Sequence, residues 1–311
     1  MNHDFCLTIL GSNSAKPAYD RHPSAQLLKV RQEYFLIDCG EGTQMQLERY
    51  GLRMSRIGHI FISHLHGDHY LGLLPLLDSF NLSGRTKDLH IYAPAPLESL
   101  LELHQQISGN YERSFTLIFH ATQAKTPVCI LETKNLIVET LLLEHRVVCT
   151  GFVFRQKVGA RKMIKDKIEQ YNIPYQKIPA IKQGADFTTA SGQIVPNAEL
   201  TTEPLTTYSY AYCSDTAYTE NILPQIENVD ILYHETTYLN DMANMAAERG
   251  HSTTTEAATI AQKANAKMLL IGHFSSRYRN LKPFLEEAKS VFENSFLAVS
   301  YTHLTLPTIG E

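Results

Sequence analysis

The sequence lacks the features that would place the protein in a membrane or outside the cell. No apolar run approaches the roughly 20 residues of a membrane span. The opening Met1-Asn2-His3-Asp4-Phe5 has no basic segment followed by an apolar one, so no secretory signal is expected. The five cysteines are scattered, odd in number and form no Cys-x-x-Cys pair. These absences favour a reducing, cytoplasmic compartment, with most thiols acting as small core residues.

Acidic residues slightly outnumber basic ones, and the formal net charge of −4 gives no general attraction for nucleic acid. The local pattern differs between Arg155 and Lys182, where Asp166 and Glu169 are the only acidic residues. The basic residues of this segment are Arg155, Lys157, Arg161, Lys162, Lys165, Lys167, Lys177 and Lys182. Such a segment is compatible with docking a polyanion, and equally with a solvated helix face.

Apolar runs and turn residues predict an α/β protein. Early strands follow one another in hairpin-like succession and later strands alternate with helices, which favours two stacked sheets flanked by helices. The predicted strands are Phe5–Leu10, Gln26–Val30, Tyr34–Asp38, His59–Ser63, His90–Ala93, Phe115–Phe119, Leu136–Leu143 and Gly151–Phe154. The predicted helices are Thr43–Tyr50, Leu97–Ile107, Ile222–Gln225, Thr254–Ala264 and Pro283–Phe292.

Two segments stand apart from this single domain, which is expected to span residues 1–298. Residues 156–206 combine basic residues with prolines and glycines, and we interpret them as an inserted arm that projects from the body. A disordered loop is the alternative. Residues 299–311, which begin Val299-Ser300-Tyr301-Thr302-His303, resemble the translation of a transposase adapter used in sequencing libraries. They are expected to be non-native, so His303 is not a ligand candidate.

A histidine cluster, His64-Leu65-His66-Gly67-Asp68-His69, places four metal-capable side chains within six residues. It follows the apolar run His59–Ser63, which predicts a buried strand, and precedes an apolar stretch that suits a helix. Residues two apart in an extended chain point the same way, so His64, His66 and Asp68 are expected to converge. Imidazole nitrogens and carboxylate oxygens are common zinc ligands. The alternative is an exposed His-rich turn, which would not need a buried strand before it.

A single open zinc site takes three protein ligands, so four candidates are too many for one site and too few for two. Three further candidates, His145, Asp215 and His273, each follow a predicted strand and could meet at one sheet edge. Seven ligands would divide into three per metal and one bridging carboxylate. Taken singly, each of the three could be an ordinary hydrogen-bonded or turn-capping residue. Two adjacent metals favour hydrolysis of phosphate esters or acyl bonds, with Asp68 able to orient or deprotonate the water.

Two later motifs add a possible proton relay. His234-Glu235-Thr236-Thr237 follows the predicted strand Asp230–Tyr233. His251-Ser252-Thr253 precedes a predicted helix, with Ser252 or Thr253 as its N-cap. A Glu–His pair near the metals could protonate a leaving alkoxide. Helix capping with core hydrogen bonding explains the same residues equally well.

Together these residues resemble the metallo-β-lactamase superfamily and, within it, the ribonuclease Z family of transfer-RNA 3′-processing endonucleases in its short bacterial form. The resemblance covers about residues 3–298. The motifs that carry it are Asp38-Cys39-Gly40-Glu41-Gly42-Thr43-Gln44, Ser63–His69, Ser214-Asp215-Thr216, His234-Glu235-Thr236, His251-Ser252-Thr253 and His273-Phe274-Ser275-Ser276-Arg277-Tyr278. The histidine cluster marks only the superfamily, whereas the last three motifs are more specific to the RNA-processing branch.

The resemblance implies an αββα sandwich of two mixed β-sheets flanked by helices, with a protruding arm at residues 156–206 and two zinc ions per subunit. One zinc would be held by His64, His66 and His145. The other would be held by Asp68, His69 and His273, and Asp215 would bridge both. Asp68 would also accept a proton, and His251, supported by Glu235, would assist proton donation.

The resemblance also implies a substrate and an assembly. Family members cut precursor transfer RNA after the discriminator nucleotide, leave a 3′-hydroxyl, and usually act as homodimers whose arm grips the RNA. The RNA-binding candidates are Arg161, Lys162, Lys165, Lys167, Lys177 and Arg277. Manganese or another divalent metal could replace zinc, and no membrane or DNA partner is expected.

The sequence departs from the family pattern in two places. The arm lacks the Gly-Pro-rich stretch of many relatives, and its nearest match is Ile173-Pro174-Tyr175-Gln176-Lys177-Ile178-Pro179. The family's His-Glu-Ala-Thr motif has Thr236 in its third position, beside an intact Glu235.

Two other function classes stay open. A small-molecule phosphodiesterase or another hydrolase of the superfamily would use the same ligands. A β-lactamase fits less well, because the basic arm and Ser275-Ser276-Arg277 suit phosphate better than a lactam. A non-enzymatic RNA-binding subunit would carry a vestigial metal site, which the complete set of seven candidate ligands argues against.

Overall fold

The computed structural model of the protein describes residues 5–109, 112–122, 125–204, 206–300 and 302–305. The chain divides into two compact units, the first within Met1–Arg155 and Tyr208–Leu306 and the second within Gln156–Thr207. None of the described helices has the length and apolar character that a membrane crossing requires.

The first unit contains two seven-stranded mixed sheets. The strands of the first sheet are β1 (Phe5–Gly11), β2 (Ala25–Val30), β3 (Glu33–Ile37), β4 (Ile57–Phe61), β5 (Leu89–Ala93), β6 (Leu117–Ala121) and β18 (His303–Thr305). Their spatial order is β18-β1-β2-β3-β4-β5-β6. Strands β1 to β3 pair as antiparallel neighbours, whereas β3 to β6 are parallel, so the sheet changes from hairpins to crossovers at β3.

The second sheet has the same mixed character. Its strands are β7 (Cys129–Glu132), β8 (Leu136–Leu143), β9 (Cys149–Gln156), β14 (Ser209–Cys213), β15 (Ile231–Glu235), β16 (Leu269–Gly272) and β17 (Ser295–Leu297). The order is β17-β16-β15-β14-β9-β8-β7, with β9 antiparallel to β14 and the strands from β14 to β17 parallel. Parallel neighbours place their carboxyl ends at one edge, where side chains from successive loops can meet.

The two sheets pack face to face through an apolar and aromatic core. Phe61 on β4 is fully buried there, and its ring lies 4.7 Å from that of Tyr92 and 5.3 Å from those of Phe152 and Phe154. Replacing such a ring by alanine typically lowers the free energy of unfolding by about 3–5 kcal/mol, so the packing of Phe61 contributes substantially to the stability of the sandwich.

Helices cover the outer face of each sheet, completing four layers. Over the first sheet lie α1 (Thr43–Arg49), α3 (Leu73–Leu82) and α4 (Pro96–Ile107), which share a buried cluster with it. Over the second sheet lie α8 (Leu223–Ile226), α10 (Thr254–Lys263) and α11 (Lys282–Val291). The remaining helices of this unit are α2 (Gly67–Tyr70) and α9 (Ala243–Arg249). The predicted fold class is confirmed: the first unit is an αββα sandwich.

The second unit has a small core of its own, formed by Ile173, Ile181, Phe187, Val195 and Leu200. Its elements are β10 (Lys162–Met163), α5 (Lys165–Gln170), α6 (Ile178–Lys182), β11 (Phe187–Thr188), β12 (Ile194–Val195), α7 (Asn197–Leu200) and β13 (Thr201–Thr202). β10 pairs with β13 and β11 with β12. The segment thus has secondary structure and an apolar core, and its role as a projecting arm stays a prediction.

Most predicted elements are present within a few residues, and the largest shifts are at strand ends. Strand β4 ends at Phe61, two residues before the predicted end at Ser63. The tail prediction is only partly within the described residues, since 301 and 306–311 lie outside them. His303–Thr305 pairs antiparallel with β1, and the ring of His303 lies 3.0 Å from the Thr8 hydroxyl. The non-native origin of the tail stays a prediction.

Candidate metal centre

Seven histidine and aspartate side chains meet where strands of both sheets end. They are His64, His66, Asp68, His69, His145, Asp215 and His273, the residues that the sequence singled out as candidate ligands. One group joins His64, His66 and His145 to Asp215, and another joins Asp68, His69 and His273, each with ligand atoms within 4.8 Å of one another. A third overlapping group contains Asp215, His251 and His273. The two sheets thus contribute to the same cluster.

The local backbone around the histidine cluster differs from the predicted extended chain. His64 and His66 lie in the loop after β4, whereas Asp68 and His69 belong to the short helix α2. The expectation that Asp68 converges by strand alternation is therefore wrong. Asp68 reaches the same centre because the helix α2 begins at Gly67 and turns its side chain toward the histidines.

Hydrogen bonds on the outer side of the histidine rings fix which nitrogen faces inward. Nδ1 of His145 donates to the carbonyl of Gly250 at 2.7 Å, and Nδ1 of His69 donates to a carboxylate oxygen of Asp38 at 2.7 Å. Nδ1 of His273 lies 2.9 Å from the hydroxyl of Thr237. Such outer partners fix the tautomer and leave Nε2 with a lone pair for a metal.

The inward-facing atoms are mutually repulsive without a cation. Nε2 of His69 and Nε2 of His273 are 3.3 Å apart, and both face Oδ1 of Asp215 at 3.3 and 3.2 Å. This oxygen is buried and has no hydrogen-bond partner among the described residues. Lone pairs directed at one point, with a carboxylate beside them, are the donor set that a divalent cation binds. The residues therefore fit a bound metal.

Asp215 lies between the two groups. Its Oδ2 is 3.5 Å from Nε2 of His64 and 3.8 Å from Nε2 of His145, while Oδ1 faces His69 and His273. Each carboxylate oxygen thus points to a different set of imidazoles, an arrangement suited to joining two cation sites.

Burial and neighbouring carboxylates shift the pKa values of His145 and His69 in opposite directions. Burial lowers the pKa of His145 to about 4, so that ring is neutral at physiological pH. Burial would also lower the pKa of His69, but the charges of Asp215, Asp38 and Asp68 outweigh it and raise this pKa well above its usual value. A divalent cation would take the place of that proton.

Asp38 lies beside the cluster and holds one of its histidines, although the sequence pattern gave it no role. Its buried carboxylate accepts hydrogen bonds from the backbone N–H and hydroxyl of Ser63 at 2.7 and 2.9 Å, from the hydroxyl of Tyr212 at 2.5 Å, and from His69. Four donors hold this side chain, and through it the ring of His69. Asp38 directly follows β3, so the rule that found His145 and Asp215 would also have found Asp38.

Glu235 and His251 form a pair beside the metal ligands. Nδ1 of His251 donates to Oε1 of Glu235 at 2.7 Å, and Glu235 is fully buried at the end of β15. Burial would lower the pKa of His251, but the charge of Glu235 and this hydrogen bond outweigh it and raise the pKa to about 9. Thr237 donates to Oε2 of Glu235 at 2.7 Å, which links this pair to His273. Thr253, two residues after His251, is the N-cap of α10 and forms a capping box with Glu256, which confirms the predicted cap.

The cluster opens into a cavity of about 500 Å³. Its lining includes Asp68, Asp215 and His251, and also three arginines, Arg146, Arg249 and Arg277. Of the predicted RNA-binding residues, Arg277 therefore lies at the cavity.

The other five predicted RNA-binding residues lie in the second unit. Arg161 is held inside that unit, with its guanidinium 2.7 Å from both Thr201 and Glu203. Lys167 lies 3.2 Å from Glu199. Lys162, Lys165 and Lys177 have no ion-pair partner among the residues that the structure describes, so they are better placed than Arg161 to meet a polyanion.

Comparison with known proteins gives two results. Residues 5–162, just over half of the chain, match the family model described as "Anti-Pycsar protein Apyc1", which places the chain in that family and covers five of the seven candidate ligands. Over 296 residues the chain is 42% identical to "Ribonuclease Z" of Bacteroides thetaiotaomicron, covering 94% of this chain and 93% of the relative. It is 43% identical over 295 residues to "Ribonuclease Z" of Cytophaga hutchinsonii, with 94% of each chain covered.

The chain belongs to the ribonuclease Z family. Solved structures agree on the fold. The short form of human tRNase Z superposes with a TM-score of 0.71 at 24% identity, covering 97% of this chain and 99% of that one. The metallo-beta-lactamase fold protein YhfI from Bacillus subtilis gives a TM-score of 0.69 at 21% identity, with 96% and 98% covered. The chain thus has a metallo-β-lactamase fold, and its His/Asp cluster has the donor set of a divalent-metal site.

Proposed function

We propose that the chain is a metal-dependent endoribonuclease that removes the 3′ trailer from precursor transfer RNA and leaves a 3′-hydroxyl on the transfer RNA. The observation that carries the proposal is the seven-residue His/Asp cluster with the Glu235–His251 pair beside it, in a chain of the ribonuclease Z family. The substrate follows from the name that the relatives bear.

The proposed cofactor is two zinc ions per subunit, with manganese as the substitute that the same donor set would accept. One ion would be held by His64, His66 and His145. The other would be held by Asp68, His69 and His273, and Asp215 would give one oxygen to each. When bound, two such ions lower the pKa of a water and neutralise charge on the attacked phosphate.

Asp68 is the proposed acceptor of the proton from the attacking water. Its Oδ2 accepts a hydrogen bond from the backbone N–H of Ala15 at 2.6 Å and lies 3.4 Å from Nε2 of His273. These contacts hold the carboxylate against the cluster, while the side chain still lines the cavity. A fixed carboxylate at the open side of the site is the arrangement that general-base chemistry requires.

His251 is the proposed proton donor to the leaving oxygen. Glu235 holds its Nδ1, so Nε2 is the nitrogen free to deliver a proton to a group in the cavity. The raised pKa keeps the ring charged near neutral pH before the reaction, and bound cations would oppose that rise. Ribose alkoxide is a poor leaving group, so proton delivery at this point lowers the barrier.

The proposed assembly is a homodimer, and the proposed location is the cytoplasm. The resemblance to the family supports the dimer, and the five free cysteines suit a reducing compartment. Light scattering on the purified protein should give twice the 35.1 kDa subunit mass, and a monomer at micromolar concentration would contradict the dimer.

The cleavage experiment uses a precursor transfer RNA with a 3′ extension, with zinc or manganese added. We expect one cut after the discriminator nucleotide and a 3′-hydroxyl end. Protein with confirmed metal content that leaves the precursor intact would refute the proposal.

The matched variant is Asp68→Ala, measured for turnover and for RNA binding by fluorescence anisotropy. We expect turnover to fall by about a thousandfold or more, since both a base and a metal contact are lost, with a far smaller change in RNA affinity. Equal losses in turnover and binding would contradict the role of Asp68.

A further inference from the structure

We infer that Arg146 and Arg249 form an arginine clamp at the rim of the metal cavity, which binds RNA phosphates next to the scissile bond and so positions the substrate. This inference rests on the proposed function. Neither residue belongs to the metal ligands, to the proton relay or to the basic segment of the second unit.

The clamp is built by close packing of the loop after β8 against the carboxyl end of α9. Arg146 follows His145, whose Nδ1 donates to the carbonyl of Gly250 at 2.7 Å, and Gly250 follows Arg249. Gly250 has a φ of 68°, and a Cβ there would lie 3.2 Å from Nδ1 of His145 and 3.5 Å from Cγ of Arg146. This backbone conformation favours glycine, and a Cβ there would press on the ring of His145. The ligand His145 thus fixes the two arginines in neighbouring positions.

Neither guanidinium group forms an ion pair within the part of the chain that the structure describes. Both residues are exposed and both line the cavity. Arg249 makes a long hydrogen bond, from Nη1 to the hydroxyl of Tyr238 at 3.4 Å. Glu41 is the only other carboxylate among the lining residues besides Asp68 and Asp215, which face the histidines. Two cations that line one cavity without an ion-pair partner are suited to an anionic ligand.

The chemistry of guanidinium indicates which anion. Arginine presents planar paired donors that match a phosphate and hold it in a defined orientation. The metal ligands at the base of the cavity would receive the scissile phosphate. The rim is then the place for the phosphates before and after it along the RNA strand. A single small phosphodiester has no such neighbours, so the clamp should matter mainly for RNA.

The first experiment measures KM and kcat on the 3′-extended precursor for Arg146→Ala, Arg249→Ala and the double variant. We expect KM to rise about tenfold per arginine, with a smaller change in kcat, and the slope of log(kcat/KM) against log[salt] to weaken by about 1 per residue. Arg146→Lys and Arg249→Lys should recover part of the loss. Arg53→Ala, an exposed arginine outside the cavity lining, is the matched control and should behave as the wild type.

The second experiment identifies the phosphates. Precursors in which one phosphate beside the cleavage site is a neutral methylphosphonate should raise the wild-type KM. The same substitution should have little further effect in the variant that lacks the arginine bound to that phosphate. Fully additive losses at every neighbouring phosphate would overturn the clamp, as would an unchanged KM in the double variant.

Binding separates this inference from the proposed function. Anisotropy with the intact precursor reports the clamp even if no cleavage occurs. Wild-type protein that binds the precursor but never cuts it would refute the proposed function alone. Cleavage by wild-type protein with equal precursor affinity in the double variant would refute the clamp alone.

Discussion

The hydrogen bond from His69 to Asp38 shows how a residue outside the ligand set controls that set. The carboxylate is fully buried and accepts four hydrogen bonds, so its position leaves the ring of His69 one orientation. A metal ligand that is fixed before the metal arrives loses little freedom on binding. The affinity of the site therefore depends on residues that never touch the ion.

Replacing Asp38 by asparagine tests this dependence. Asp38→Asn replaces the carboxylate that accepts the His69 proton by a neutral amide, in which one of the two oxygens becomes a donating NH₂ group. We expect metal affinity to fall about 10- to 100-fold. Zinc titration by calorimetry measures the change, with circular dichroism to confirm the fold. Asp78→Asn is the matched control, because Asp78 contacts His104 at 3.2 Å in a similar pair on the helical surface. Equal zinc affinity in the two variants would contradict the prediction.

The role of His251 can be separated from metal binding by the choice of leaving group. In His251→Ala we expect precursor cleavage to slow by about 10²- to 10⁴-fold, because the ribose oxygen then leaves without a proton. Hydrolysis of bis(p-nitrophenyl) phosphate should slow far less, since p-nitrophenolate leaves without help. If both substrates slow by the same factor, His251 acts on the metals or the fold and not as a proton donor.

The candidate site shows which residue-scale features a sequence reveals. The sequence revealed three ligand candidates because each follows an apolar strand, a pattern that can be recognised without a structure. They are His145, Asp215 and His273. Asp38 also follows a strand, so the same rule places it at the sheet edge. Its hold on His69 is not visible in the sequence, since Ser63 and Tyr212 approach Asp38 only in the folded sheets. Contacts that depend on the docking of two sheets are not readable from local periodicity.

At the scale of elements, strand cores were predicted better than strand ends. β8 has the predicted bounds, Leu136–Leu143, because its apolar pattern is long and regular. β4 ends early at Phe61. Ile62 still donates to the carbonyl of Tyr92 on β5, but the backbone N–H of Ser63 donates to the carboxylate of Asp38 and not to a strand. In the second unit the short strands β10 to β13 were missed, since two-residue strands carry no periodic signal. Its apolar residues are spread among polar ones and converge only on folding.

Removal of the second unit tests its contribution to RNA recognition. Gln156 closes β9 and Tyr208 precedes β14, and the register pairs Arg155 with Ser209, so an Asn-Gly turn can replace residues 157–207. We expect bis(p-nitrophenyl) phosphate hydrolysis to persist, and KM for the precursor to rise by about tenfold or more as phosphate contacts are lost.

A charge variant with the second unit kept is the control for that deletion. Lys162, Lys165 and Lys177 changed together to alanine should reproduce part of the increase in KM. The deletion variant, with its metal content confirmed, is compared with the wild type on the precursor. Equal KM values would show that the second unit takes no part in recognition.

At the scale of the molecule, the metal cluster joins the loops of both sheets. Metal that binds only the folded state stabilises it, by about 4 kcal/mol when its concentration is a thousand times Kd. For a chain of this size we expect chelation to lower Tm by roughly 10 °C, and zinc to restore it. Differential scanning fluorimetry measures the shift. In Asp215→Ala, which lacks the carboxylate between the two groups, chelation should lower Tm by a smaller amount. An equal Tm of the wild type with and without metal would contradict the prediction.

The distribution of the ligands along the chain sets the earliest moment at which the protein can harm RNA. His64 and His273 are 209 residues apart in the chain (273 − 64), so the last ligand is synthesised long after the first. A nascent chain that stalls or is truncated before that point has an incomplete metal centre, however well its first sheet has folded. Until His273 has been added, a nuclease synthesised beside ribosomes and their transfer RNAs therefore lacks a complete metal centre.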